Sequence, residues 1–267
     1  MGHGRELLAI PIRALRRSGL VWAVSMAALI ALTVAFWPAF QTEADLGKIM
    51  EALPQPIIDA FGLADFGSPA GFLRGNLYAV IVPLLLAVAA VMLTTGQTAG
   101  EEDAGRMELY LAQPVSRQAV FVGRVSASLL WLLAIAAVLL IAQLASDAAF
   151  GLSIGTDRVV ATTALCSLLA AWYGGLTALV AGWTARPGLA IGIGIALVVA
   201  GYVMIALFPI SEVLAPWRHV SPWDWALGGD PLLNPTEVWR YLALGVPAFA
   251  MASAGTLAFG RRDVQSA

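Results

Sequence analysis

The sequence has very few of the residues from which catalytic and metal sites are built. Among its 267 residues are one cysteine and two histidines, and a single cysteine cannot form an intrachain disulfide. His3 lies at the amino terminus and His219 lies in a loop, so the sequence predicts neither a nucleophile with its base nor a metal site. We therefore expect a chain that is not an enzyme and that has no cofactor of its own.

Charge is also scarce. Only 12% of the residues are charged and 60% are hydrophobic, and the mean hydropathy is +0.81, whereas soluble domains have roughly 25% charged residues. The net charge is −2 and the arginines are scattered rather than gathered into a basic stripe, which argues against a nucleic-acid partner. The composition is that of an integral membrane protein in a lipid bilayer.

The chain also lacks the groups that power transport. Lys48 is its only lysine, and it is not part of the Gly-x-x-x-x-Gly-Lys-Ser/Thr loop that cradles phosphates. The central portions of the apolar runs contain no Asp, Glu, Lys, Arg or His, although ion-coupled transporters usually place such groups at mid-membrane. If nucleotide drives transport, ATP and Mg must be bound by another polypeptide. An ion-coupled secondary transporter is the less favoured alternative.

Six apolar runs are long enough to cross a bilayer as helices, because a hydrocarbon core of about 30 Å needs about 20 residues in a helix. The runs are residues 20–40, 77–95, 125–146, 159–185, 188–210 and 241–259. Arg186 and Pro187 separate the fourth run from the fifth, and the combined length of these two runs indicates a tight hairpin. The predicted fold is an all-α integral membrane protein with six transmembrane helices in a single domain, residues 1–267.

The positions of the basic residues predict the orientation. Positive residues near span ends are retained in the cytoplasm, and an even number of spans puts both termini on one side. Ten basic residues fall on that side, namely Arg5, Arg13, Arg16, Arg17, Arg106, Arg117, Arg124, Arg186, Arg261 and Arg262, and five fall on the other, namely Lys48, Arg74, Arg158, Arg218 and Arg240. Both termini are therefore expected in the cytoplasm.

Amphipathic segments flank the spans. Apolar residues lie near one helical face of residues 1–19, which predicts a helix along the cytoplasmic membrane surface or, alternatively, a frayed basic terminus. Residues 43–53 have apolar side chains at i, i+3, i+4 and i+7 and predict a short helix on the outer side. Three tryptophans of the last outer loop are expected at headgroup depth, namely Trp217, Trp223 and Trp225.

The most polar stretch is the loop of residues 96–124, between the second and third runs. Residues 101–103 are all acidic and suit the first turn of a helix, where carboxylates complement the helix dipole. This helix should continue through Leu111 and end before Pro114, since the residue before a proline avoids the helical region. Ser116 is then placed to cap the next helix. The loop is suited to be a lever for a soluble motor, and a solvated loop without function is the alternative.

The loop resembles the signature of ABC-2 type permeases, E-E-x-x-G-x-x-E-x-x-L-x-x-P-V-S-R. The matching residues are Glu101, Glu102, Gly105, Glu108, Leu111, Pro114, Val115, Ser116 and Arg117. Arg106 and Met107 replace the more usual threonine and leucine. Weaker similarity extends upstream and downstream, so that the resemblance covers most of the chain.

The resemblance implies the membrane subunit of a bacterial ABC exporter, in the inner (plasma) membrane. In such proteins a coupling helix after the second span docks into a cytosolic ATPase, which binds ATP and Mg. Two ATPase subunits and a second permease copy, or a sister permease, complete the complex, and the substrate is a hydrophobic drug, antibiotic, peptide or lipid. The residues implied in coupling are Glu101, Glu102, Asp103, Gly105, Glu108, Pro114, Ser116 and Arg117. A non-transporting membrane sensor or assembly protein that binds a partner through the same loop is the remaining alternative.

Small residues recur at every fourth position of the fifth run, at Gly188, Gly192 and Ala196. This spacing lets two helices approach closely. The pattern fits either packing within the chain or a seam between two permease copies.

Overall fold

The computed structural model describes residues 3–41, 54, 67–111 and 114–262, and within these residues the chain contains helices and no strand. Six helical stretches are long and apolar enough to cross a membrane. The prediction of an all-α membrane protein with six spans is therefore confirmed. The helix predicted at residues 43–53 lies outside the described residues.

The six spans are numbered in chain order. Spans 1 to 6 are the helices Arg16–Ala35, Ile81–Gln97, Arg117–Phe150, Thr156–Thr184, Pro187–Leu207 and Val238–Arg261. The shorter elements are the helices His3–Ala14, Trp37–Gln41, Pro69–Leu73, Ala99–Asp103, Arg106–Leu111 and Pro222–Leu227, the π-helical segment Arg74–Tyr78, and the 3-10 turns Phe208–Ile210 and Ala215–Val220.

Span 3 begins eight residues before its predicted apolar run. The Ser116 hydroxyl oxygen accepts a hydrogen bond from the Ala119 backbone N–H at 3.2 Å, which is the capping geometry expected from the sequence. Once capped, the helix continues through polar residues into the apolar run. Hydropathy alone therefore underestimates the length of this helix.

The amino-terminal helix is shorter than predicted and packs against a span. It ends at Ala14 rather than at residue 19, and only Leu15 separates it from span 1. The Trp131 indole N–H of span 3 donates a hydrogen bond to the Ile12 carbonyl at 2.8 Å. This contact fixes the helix to the bundle, so that it is not a frayed terminus.

Spans 2 and 4 form the centre of the bundle. In each of them 61% of the most apolar stretch is buried, against 22–33% in the other four spans. Span 6 packs directly on span 4, because a side chain on Gly175 would collide with the backbone of Ala248, and one on Gly182 would collide with the backbone of Gly255. The two glycines of span 4 thus allow backbone contact between the helices.

Spans 4 and 5 form the predicted hairpin. Span 4 ends at Thr184, the next residue Ala185 has the left-handed φ of 56°, and Pro187 is the first residue of span 5. Proline suits this position, because a backbone N–H at the first residue of a helix has no partner within the helix, so that its absence costs nothing. A two-residue connection therefore makes the two spans antiparallel neighbours.

The expectation for Trp223 is wrong. Its side chain is fully buried, whereas that of Trp217 is 60% exposed, and it packs in a core cluster with Val91 of span 2 and Tyr173 of span 4. The short helix Pro222–Leu227 is capped by Ser221, whose hydroxyl also donates to the Gly201 carbonyl at 2.8 Å. This anchor on span 5 directs Trp223 into the bundle rather than towards the headgroups.

Candidate functional site

The loop between spans 2 and 3 lies at the end of the bundle where the ends of spans 4 and 6 also meet. Arg262, which follows span 6, donates hydrogen bonds to Glu102 of the loop and to the carbonyl of Gly182 in span 4. We call this end, with residues 97–111, 114–124, 182–186 and 262, the arginine face. It contains all eight residues that the family resemblance implies in coupling.

The loop contains two short helices rather than the single helix predicted. The first loop helix is Ala99–Asp103 and the second is Arg106–Leu111. Between them Gly105 has φ +68°, a backbone conformation that costs other residues about 1–2 kcal/mol. The sequence prediction missed this turn because a glycine is also tolerated inside a helix.

The two adjacent glutamates of the first loop helix are buried rather than solvated. Glu101 is 8% exposed and Glu102 is 3% exposed. Burial of an unpaired carboxylate is costly, so each of these side chains requires a cationic partner. The structure provides a different partner for each.

Glu101 joins the loop to span 3. One carboxylate oxygen accepts a hydrogen bond from Arg106 Nε at 3.0 Å, and the other lies 3.0 Å from Arg124 Nη1. Arg124 is only 3% exposed; its Nη1 also donates to the Gln97 carbonyl at 3.2 Å, and its guanidinium lies 4.6 Å from the Tyr110 ring centroid. Arg124 therefore links the end of span 2, the loop and span 3.

Glu102 joins the loop to spans 4 and 6. Both of its oxygens accept hydrogen bonds from the Arg262 guanidinium, with 2.6 Å between Nη1 and Oε1. Such a bidentate pair is strong and directional. Arg262 Nε donates to the Gly182 carbonyl at 2.7 Å, and Arg117 Nη1 donates to the Arg262 carbonyl at 2.7 Å. The loop and spans 3, 4 and 6 thus meet at Arg262.

The tip of the loop is exposed above these buried pairs. Asp103, Ala104 and Arg106 are exposed, whereas Met107 is fully buried. Met107 packs against Phe121 of span 3 and other residues of spans 3, 4 and 6. Hydrogen bonds from the guanidinium to Glu101 raise the pKa of Arg106 above its ordinary value, so this arginine remains charged. The tip is a polar surface on a rigid base.

The other residues implied in coupling lie near this tip. Glu108 is in the second loop helix, and Pro114 and Ser116 are exposed where span 3 begins. Arg117 shares Arg262 as a partner with Glu102. Sequence reasoning missed the roles of Arg124 and Arg262, which it used only to assign orientation. The available signal was that two adjacent carboxylates near a membrane need cations, and these arginines lie at the ends of apolar runs.

The small-residue stripe of span 5 faces away from the rest of the described chain. Gly188, Gly192 and Ala196 are all exposed, and a Cβ on either glycine would meet no described atom within 4 Å. The glycines that pack within the bundle are Gly194, against Val91, and Gly201, against Tyr173. Within the described residues, the stripe is therefore exposed, with open space beside its two glycines.

A cavity of about 350 Å³ lies between spans 3, 4 and 6 and reaches span 2. Its lining is mostly apolar, with the five hydroxyl residues Thr94, Ser126, Ser128, Ser253 and Thr256. Exposed side chains such as Leu129 and Phe249 lie at its rim. The lining residues of spans 2 and 3 lie in the halves nearer the arginine face, whereas those of span 6 extend to both sides of its middle. A second cavity of about 320 Å³ adjoins it between spans 3 and 4 and shares Leu129, Leu168 and Ala171.

Residues 151–155 read Gly-Leu-Ser-Ile-Gly, the Gly-x-Ser-x-Gly pattern of hydrolase nucleophiles. In those enzymes the serine follows a strand, whereas Ser153 lies in a loop between two helices. His219 is bonded instead to Asp224, with 2.9 Å between Nδ1 and Oδ2. The described part of the chain also has no group of three residues able to hold a metal ion.

Comparison with known proteins bears on the whole chain. A sequence model described as "ABC-2 family transporter protein" matches residues 7–263. Among curated proteins, none matches.

Proposed function

The chain belongs to the ABC-2 family of transporter proteins, and on that basis we propose that it is the permease subunit of an ATP-driven exporter in the bacterial inner membrane. Membership of the family makes it the membrane component of an ABC transporter and implies an ABC ATPase as partner. We further propose that the transporter works as an exporter, that the loop between spans 2 and 3 docks into the ATPase, that two permease units pair, and that the substrate is hydrophobic.

The observation that carries the proposal is the construction of the loop between spans 2 and 3. Its tip is exposed, while its base is held by two buried ion pairs, Glu101–Arg124 and Glu102–Arg262. A loop that met only solvent would gain nothing from such fixation, whereas a lever must be stiff. We propose that the tip docks into the ATPase, with Asp103, Gly105 and Glu108 shaping the contact. Glu101, Glu102, Pro114, Ser116 and Arg117 then hold it in place.

The partner ATPase would supply all nucleotide chemistry. It binds ATP and Mg in two copies, one for each permease unit, and its closure displaces the loop tips. The orientation expected from the arginines places the arginine face in the cytoplasm, where such a partner is found.

The second permease unit would meet this one along span 5. The stripe of Gly188, Gly192 and Ala196 is exposed among the described residues, with open space beside both glycines, and small residues favour close helix contact in membranes. A second copy or a sister permease both satisfy this geometry.

The cavity between spans 3, 4 and 6 supports a hydrophobic substrate. At about 350 Å³ it falls within the range of about 300–1,000 Å³ found for small-molecule sites. Its apolar wall suits a hydrophobic drug, antibiotic, peptide or lipid segment, and its hydroxyl groups suit one or two polar atoms. Its walls in spans 2 and 3 lie towards the arginine face, the side from which an exporter would collect its substrate.

The experiment is purification of the tagged chain in mild detergent, with mass spectrometry of the proteins that accompany it. We expect an ABC ATPase at equal stoichiometry, and ATP-dependent accumulation of a hydrophobic fluorescent dye in inverted vesicles. Absence of an ATPase would refute the proposal. So would dye transport that survives ATP depletion but collapses with the proton gradient, because this result indicates an ion-coupled carrier.

A further inference from the structure

Arg262 is the residue at which the segments of the arginine face converge, although it lies far outside the signature loop. Its side chain binds Glu102 through two nitrogens and Gly182 through the third, and its carbonyl accepts a hydrogen bond from Arg117. The guanidinium also lies 5.1 Å from the Phe259 ring centroid. Every polar atom of the side chain is therefore used within the protein.

The helices that Arg262 touches form one mechanical unit. Arg262 directly follows span 6, and its Nε bonds the Gly182 carbonyl of span 4. Near the same level, Gly182 and Gly255 bring the two backbones into contact. Because neither helix can slide past such a contact without a collision, spans 4 and 6 should move together.

The two neighbouring glutamates, Glu101 and Glu102, form ion pairs with different arginines. Glu101 binds Arg124 of span 3, and span 3 packs against span 1, where Trp131 covers Gly19. Glu102 binds Arg262 and so reaches spans 4 and 6. The first loop helix is thus tied at Glu101 to span 3, and at Glu102 to Arg262, whose side chain contacts span 4 and whose carbonyl accepts from Arg117 at the start of span 3.

We propose that Arg262 is a positioning residue for transport, and that the Glu102–Arg262 ion pair passes displacement of the first loop helix to spans 4 and 6. This inference rests on the proposed function, because it assumes an ATPase that moves the loop. The bidentate geometry suits the task, since a two-point contact transmits rotation as well as translation, whereas a single contact acts as a swivel.

The variants are chosen so that folding and transmission are separated. Arg262→Gln leaves the buried Glu102 charge without its main cation and is expected to weaken folding. The double variant Glu102→Gln with Arg262→Gln removes both charges, so it retains the fold but lacks the tether. Arg262→Lys keeps the charge without the two-point contact. Arg261→Gln is the matched control, because Arg261 is the adjacent residue and is exposed.

The measurement is a distance between spin labels at the ends of spans 1 and 6 remote from the arginine face. Phe36→Cys and Leu242→Cys are both exposed positions, 65% and 59%, and the native Cys166 is fully buried and stays unlabelled. The labelled chain is diluted with unlabelled chain, so that each measured pair lies within one molecule. The complex with its co-purified ATPase is measured without nucleotide and after trapping with ATP and vanadate.

We expect trapping to shift this distance in the otherwise unsubstituted protein and in Arg261→Gln. In the double variant the shift should be lost from complexes that contain the ATPase, and in Arg262→Lys it should be reduced. A full shift in the double variant would overturn the proposal, as would the absence of any shift in the unsubstituted protein despite ATP hydrolysis. Failure to recover any ATPase would refute the proposed function itself, and the tether with it.

Discussion

Replacement of Arg124 by glutamine tests whether the loop is held by buried charge. Arg124 and Glu101 are paired at 3.0 Å, and their side chains are only 4% and 11% exposed. Removal of one member of a buried ion pair costs about 3–5 kcal/mol, because the other charge is left without compensation. Arg106 still pairs with Glu101, but its own side chain is 55% exposed. We therefore expect a loss near the lower limit, about 3 kcal/mol.

A second substitution separates charge from packing. In the double variant Glu101→Gln with Arg124→Gln no buried charge is left unpaired, and mainly the hydrogen bond from Arg124 to the Gln97 carbonyl is lost. A lost hydrogen bond costs about 1 kcal/mol. The double variant should therefore be more stable than Arg124→Gln alone.

The assay is equilibrium unfolding by SDS in mixed micelles, followed by tryptophan fluorescence. Arg186→Gln is the control, since Arg186 is an exposed arginine at the same face and its change should stay within about 0.5 kcal/mol. The reasoning is refuted if Arg124→Gln unfolds like the control, or if the double variant is less stable than Arg124→Gln.

Three further outcomes are expected. Gly182→Ala should lower the unfolding free energy by about 1–3 kcal/mol through overpacking, because the added methyl group meets the Gly255 backbone. Gly192→Ala has open space around the added methyl group and should leave the unfolding free energy of the monomer unchanged. Equal effects of the two substitutions would contradict the packing described. Gly105→Ala should lower the unfolding free energy by about 1–2 kcal/mol, because alanine is strained at a φ of +68°, and should weaken co-purification of the ATPase. Unchanged co-purification would show that the tip conformation is not used in docking. Ala171→Trp should fill the cavity and abolish dye transport while the ATPase stays bound; undiminished transport would exclude the cavity as the substrate site.

The orientation of individual side chains in the loop could not be read from the sequence. Residues 101–103 are uniformly acidic, and nothing in their pattern distinguishes the buried Glu101 and Glu102 from the exposed Asp103. The difference arises because Arg124, 23 residues after Glu101, and Arg262, 160 residues after Glu102, approach these two carboxylates and not that of Asp103. A contact between residues so distant in sequence leaves no local signal.

Other features were local and therefore predictable. The six spans follow from run length against the thickness of a bilayer, and the Ser116 cap and the hairpin before Pro187 depend on neighbouring residues alone. The signature loop identified the family for the same reason, since it is a continuous stretch of 17 residues, 101–117. By contrast, Trp223 was misplaced because its burial depends on Ser221 reaching Gly201 in span 5.

The sequence by itself determined that this chain is a membrane protein, how many helices can cross the bilayer, and which loop contains the family signature. These properties depend on solvent preference and on short-range geometry, which each segment expresses alone. Only the tertiary structure decided that two adjacent glutamates lead to different helices, that spans 4 and 6 touch backbone to backbone, and that Arg262 joins them to the loop. Those facts depend on which distant residues meet when six helices pack, because a buried charge is stable only where the fold brings it a partner.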